Sequence, residues 1–160
     1  MNKHAYRNNL RDWLTEKKFD LAATYTFKKA INAAITDKFM SSFYNKIDKN
    51  LYGNAAYRYN KRLQRINICE TGVRLQKSEL LHQQTDGRLH VHSAIILPED
   101  RFEQLDVFCL YMEKHWYENS HIAGSVKFEK IYSQNWLHYM TKQISAAECD
   151  TILVNSSHIA

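Results

Sequence analysis

The stretch GRLHVHSAII, Gly87 to Ile96, decides how the chain is read, because it is a strand pattern that carries chemistry. In extended backbone, residues two apart share a face. Leu89, Val91 and Ser93 therefore face one way, and His90, His92 and Ala94 the other. Two imidazoles on one strand face, with Cβ atoms roughly 6–7 Å apart, supply two ligands to a single metal ion when a third donor joins them. A half-buried strand carrying two unrelated histidines fits the same pattern. The neighbours of this strand must decide.

Upstream, Arg62 to Thr71 (RLQRINICET) alternates in the same way and ends on Glu70 and Thr71. The polar segment from Gly72 to Gly87 joins the two strands, which pair antiparallel if they are neighbours. Phe19 to Lys28 (FDLAATYTFK) is rich in aromatic and β-branched residues and reads as an earlier strand. Between them, Thr36 to about Lys49 sets Phe39, Met40, Phe43 and Ile47 in a helical stripe, with Thr36 or Asp37 as cap. Downstream, Pro98 ends the histidine strand and a helix is expected from Glu99 to about Asn119. Ser125 to Tyr132 alternates as another strand, Gln134 to Ser145 reads as a helix, and Thr151 to Asn155 as a last short strand. The order strand, helix, strand, strand, helix, strand, helix predicts an α+β protein. Its expected form is a ferredoxin-like antiparallel sheet of four to five strands with helices packed on one face. No Pro/Gly/Ser-rich linker interrupts it, so residues 1–160 are read as one domain.

Composition agrees with a globular chain: 44% hydrophobic and 24% charged. No apolar run approaches the ~18–20 residues that span a bilayer, and the polar start MNKHAYRNNLRDW lacks a signal-peptide core, so the expected location is cytoplasmic. Cys69, Cys109 and Cys149 form no metal-finger spacing and are odd in number, which argues for reduced thiols. Charge is distributed unevenly. Residues 1–65 hold 14 Lys/Arg against 5 Asp/Glu, whereas residues 66–160 hold 8 against 12. A basic half interleaved with aromatic residues suits a polyanion with stackable bases.

Three elements then converge. The histidine strand is the first, and Glu70 on the adjoining strand is a carboxylate within reach of it. The third is the helix carrying Tyr139, with Lys142 at i+3 and Gln143 at i+4 on the same helix face. A free phenol has a pKa of ~10, and a neighbouring cation lowers it by about one to three units. A phenolate attacking a DNA phosphate expels a 3′-hydroxyl and leaves a 5′-phosphotyrosine, which conserves the bond for rejoining.

On these motifs the sequence resembles the HUH endonucleases, in particular the small Rep proteins that initiate rolling-circle replication. The histidine motif is His90-Val91-His92, the YxxK motif is Tyr139-Met140-Thr141-Lys142, and AATYTFKKA (Ala22 to Ala30) is similar to the first Rep motif. Order and spacing agree over about residues 20–145. The resemblance implies a Mg²⁺- or Mn²⁺-dependent nickase and ligase of single-stranded DNA on the HUH fold, with one catalytic tyrosine, Tyr139, assisted by Lys142. It implies His90 and His92 as metal ligands, with Glu70 as the third in the Rep pattern or Gln143 in the pattern of the single-tyrosine HUH transposases. Tyr25, Phe27, Lys28 and Lys29 are the expected DNA contacts. Tyr132 is expected to pack on the strand before the catalytic helix. A host helicase would complete such a system, acting with a monomer or a homodimer. Two other functions compete: a single-tyrosine transposase, and a ferredoxin-like nucleic-acid-binding module without catalysis, which gives no reason for His90, His92 and Tyr139 together. A structural zinc site is disfavoured, because no cysteine lies near the histidines in sequence.

Overall fold

The computed structural model describes residues 3–71, 89–133, 135–141 and 152–159. In chain order the elements are α1 (Lys3–Glu16), β1 (Leu21–Phe27), α2 (Ala33–Tyr52), α3 (Asn54–Arg58), β2 (Arg65–Thr71), β3 (Leu89–Ile95), α4 (Leu105–Tyr117), β4 (Ala123–Lys130) and α5 (Asn135–Met140). The four strands form one sheet in the order β2-β3-β1-β4, with every neighbouring pair antiparallel. Since β1 and β2 both run against β3, they are parallel to each other and joined through α2. The same holds for β3 and β4 through α4. These are two split βαβ units laid into one another, the ferredoxin-like plan.

Alternation along each strand assigns the two faces. Leu21, Ala23, Tyr25 and Phe27 join Val91 and Ile95 in a core covered by α2 and α4 through Met40, Phe43, Ile47, Phe108, Met112 and Trp116. The opposite face is covered as well: Ile66, Ile68 and Ala94 pack with Leu14 of α1 and with Leu137 and Met140 of α5. Helices therefore lie on both faces, not on one. The second layer comes from α1, which sets Leu14 and, in part, Leu10 against the sheet, and from α5.

Element ends move for identifiable reasons. Helix α2 starts at Ala33, before the expected Thr36, because the Asn32 side chain accepts a hydrogen bond from Ile35 N at 2.9 Å. It stops at Gly53, whose φ of 54° suits a residue without Cβ and whose N–H bonds Lys49 O. Helix α4 starts at Leu105, not Glu99. Pro98 O instead receives the N–H groups of Arg101 and Phe102 in a closed turn, and Gln104 is extended. Of the strand expected over 151–155, the described residues 152–155 show a bridge, Ile68↔Ile152, in a segment that lies along the outer edge of β2. There Leu153 N bonds Asn67 O, and Arg65 and His158 exchange both backbone hydrogen bonds at 2.7 and 2.8 Å.

One charged pair is sealed inside. Asp48 of α2, fully buried, accepts from Arg65 Nη1 at 3.2 Å and from Leu63 N at 2.8 Å. The Arg65 guanidinium lies 4.2 Å from the Tyr44 ring centroid. Burial lowers the Arg65 pKa, and Asp48 and Tyr44 oppose that shift.

Candidate functional site

The face shared by His90 and His92 is built in rows across the sheet. Strand register sets Glu70, His90 and Thr26 side by side, and then Ile68, His92 and Thr24 one step along. A one-residue slip in any strand would send its member of the row into the opposite core. Although Glu70 lies opposite His90 in register, its carboxylate reaches diagonally to the next row. Its Oε2 is 2.6 Å from His92 Nε2. On the other side of the ring, Thr24 Oγ1 lies 3.1 Å from His92 Nδ1. His92 is thus buried and clamped at both nitrogens, while His90 is half-buried. With Nε2 facing a carboxylate, the assigned tautomer donates Nε2–H to Glu70 and accepts the Thr24 hydroxyl proton at Nδ1.

Helix α5 lies over this clamp. Its Leu137 and Met140 are buried, and Trp136 and Tyr139, three residues apart, each stand nearly perpendicular to the His92 ring at ring separations of 6.3 and 5.4 Å. Tyr139 is half exposed, at 49%. Helix α1 holds α5 in place: Arg11 Nε donates to Thr141 Oγ1 at 2.8 Å, and Thr141 Oγ1 in turn donates to Leu137 O.

The structure therefore brings together Glu70, His92 and Tyr139, with His90 in the adjoining row. Lys142 and Gln143 lie outside the described residues, as do Glu79, His82 and Cys149. Among the described residues, no three His, Cys, Asp or Glu side chains are grouped as a metal site. Tyr25 and Phe27 are corrected. Both are in the α2/α4 core, 0% and 1% exposed, where Tyr25 meets Phe43, Tyr44 and Trp116, so neither ring is available to a base. Their positions in β1 alternate onto the inner face, a fact that needs the helix placement to be seen. Lys28 and Lys29 are exposed beyond β1, and Lys28 Nζ donates to Ser120 O at 2.5 Å. Tyr132 is corrected too: it lies past the end of β4 and is 85% exposed, not packed on the strand. Sequence reasoning missed Thr24, Trp136 and Arg11. Thr24 becomes visible only with strand register, and Arg11 acts across 130 residues of chain.

No helix among the described residues is long and apolar enough to cross a membrane. Comparison with protein-family models, with curated proteins and with solved structures finds no match to this chain.

Proposed function

We propose that this protein is an HUH-type endonuclease of the Rep class, which nicks and rejoins single-stranded DNA through Tyr139. The observation that carries this reading is the Glu70–His92 contact beneath the Tyr139 ring, three residues from separate elements meeting on one sheet face. Of the two proposed ions, Mn²⁺ or Mg²⁺, the Glu70 carboxylate suits both and the two imidazoles favour Mn²⁺, with His90, His92 and Glu70 as the residues that would hold it. The bound ion supplies charge stabilisation on the phosphate under attack. Thr24 suits this role because its hydroxyl either donates to or accepts from His92 Nδ1. It therefore serves the tautomer that frees Nε2 for a ligand bond as well as the one that faces Glu70 alone.

The chain's own residues then divide the work. Tyr139 O attacks the phosphorus, its proton leaves to solvent or a neighbouring base, and the P–O bond to the 3′-oxygen breaks. A 3′-hydroxyl and a 5′-phosphotyrosine result, and attack by another 3′-hydroxyl reverses the step. Lys142 is the proposed cation that favours the phenolate. The physiological setting proposed is initiation of rolling-circle replication of a plasmid, phage or integrated element.

The test is incubation with Mn²⁺ and a library of single-stranded oligonucleotides, followed by denaturing electrophoresis. A covalent protein–DNA band is expected, absent in Tyr139→Phe and restored to free DNA by an added 3′-hydroxyl strand. An adduct that survives Tyr139→Phe, or no adduct with any oligonucleotide, overturns the proposal.

A further inference from the structure

With Tyr25 and Phe27 buried, other aromatic and basic residues of the first half of the chain come into view, and one exposed group of them stands at the opposite end of the sheet from His90. The sequence Tyr57-Arg58-Tyr59-Asn60-Lys61-Arg62 begins in the last turn of α3 and contains three cations and no acid. Tyr57 and Tyr59 are 66% and 78% exposed. Single exposed aromatics are ordinary, but two within three residues, flanked by cations, are a surface feature that invites a ligand. Their backbone is ordered: Tyr59 N and Lys61 N both bond Ala55 O, at 3.1 and 3.2 Å, and Asn60 Oδ1 receives Arg62 Nε at 2.8 Å. The rings are thus presented by a fixed turn, which limits the entropy lost when they are covered.

This turn borders a groove of about 800 Å³ whose walls include Lys17, Lys18, Tyr52, Lys61 and Arg62. Two of its acids already have partners: Asp20 accepts from Leu97 N at 2.8 Å and Asp100 from Lys61 Nζ at 2.7 Å, leaving Glu99 as the third. Lys18 and Asn60, both with φ of 49°, are the only described non-glycine residues with positive φ, and both line this groove. Backbone held in that region is found where surrounding structure over-determines it, often at ligand clamps. The groove is about 15–20 Å along the strands from the Glu70–His90 row, since it abuts the residues before β1 and after β3.

We infer that the Tyr57–Arg62 segment and its groove form a second site, one that binds single-stranded nucleic acid by base stacking on Tyr57 and Tyr59 and phosphate contact with Arg58 and Lys18. It is independent of the chemistry at Tyr139. Exposed π-faces accept any base, and cations spaced along a groove track a backbone, so this binding is tolerant of sequence and sensitive to salt.

The test is fluorescence anisotropy of labelled oligothymidylate and oligouridylate in EDTA, where no metal-dependent cleavage interferes. Tyr57→Ala/Tyr59→Ala should weaken binding about tenfold or more, and Tyr57→Phe/Tyr59→Phe should stay within about twofold of the parent. Arg58→Ala should make the log–log salt slope shallower by about 0.7. Photo-crosslinking from a 5-iodouracil oligonucleotide should label Tyr57 or Tyr59, and the ratio of the two affinities assigns DNA or RNA as the preferred strand. Both tyrosines are exposed, so matching circular-dichroism melts are expected of all variants. Unchanged affinity in the alanine pair, or duplex DNA bound as tightly and equally indifferent to it, overturns the inference. Neither result bears on adduct formation at Tyr139, which the Mn²⁺ experiment reads separately.

Discussion

Thr24 fixes His92 from the side away from Glu70, and its role is measurable without any catalysis. Thr24→Val keeps the β-branched shape and removes the hydroxyl at 3.1 Å from Nδ1. Loss of such an outer hydrogen bond weakens metal binding by about 10–100-fold, so titration calorimetry with Mn²⁺ should show a drop of that size with little change in melting. An unaltered affinity would remove Thr24 from the site. Cys69 offers a contrast on the same strand as Glu70. Burial first, then the charges of Asp37 and Glu70, push its thiol up to about 12. Almost no thiolate forms at neutral pH, and the native protein should leave Cys69 unmodified by a thiol reagent that labels it after denaturation, read by mass spectrometry.

The β1–β4 pair carries its own constraint. Their register shifts between Tyr25 and Phe27, and Gly124 sits where an added Cβ would lie 2.6 Å from Thr26 Oγ1 and 2.8 Å from Thr26 O. Gly124→Ala must displace backbone beside the His90 row. A stability loss of about 1–3 kcal/mol is expected in urea unfolding. On the other side of the sheet, Asp48 ties α2 to β2 by accepting from Arg65 and Leu63. Asp48→Ala strands the buried guanidinium and should cost about 3–5 kcal/mol by the same measurement. A loss below about 1 kcal/mol would mean that Arg65 finds water or another partner. These elements also show what the sequence could disclose. Three of the four strands were legible from period-two alternation and β1 from its aromatic and β-branched residues, and the ferredoxin-like plan followed from the order of strands and helices along the chain. The pairing of Glu70 with the histidine strand followed as well, but not its diagonal reach to His92. Helix α1 went unread although Tyr6, Leu10, Trp13 and Leu14 recur at helical spacing, because the residues around them are strongly polar, and α3 is too short to show a period. The inner face of Tyr25 and Phe27 depends on which side α2 and α4 occupy, and alternation alone does not choose a side.

At the scale of the molecule, the two ends of the sheet are chemically different: His90, His92, Glu70 and Tyr139 gather toward one, and the Tyr57–Arg62 segment stands at the other. His158 joins the segment over 152–159 to the β2 edge, and its pKa is lowered, chiefly by burial and then by Arg65 and Arg62, with Asp48 opposing. The unfolded chain therefore binds a proton more readily than the folded one. The stabilisation from neutral His158 is present above the ordinary value of 6.5 and is lost as pH falls from there through the lowered value. Melting between about pH 7.5 and 5.5 should fall more in the parent than in His158→Gln, and equal falls would discount this histidine. The same segment has a further consequence. By pairing with Arg65, Asn67 and Ile68, it occupies backbone donors and acceptors that would otherwise stand open along β2. An open ladder is a template for the strand of another molecule. Chains cut before residue 152 should therefore stick to one another, forming concentration-dependent species in light scattering, and the intact tail is what keeps each sheet to itself.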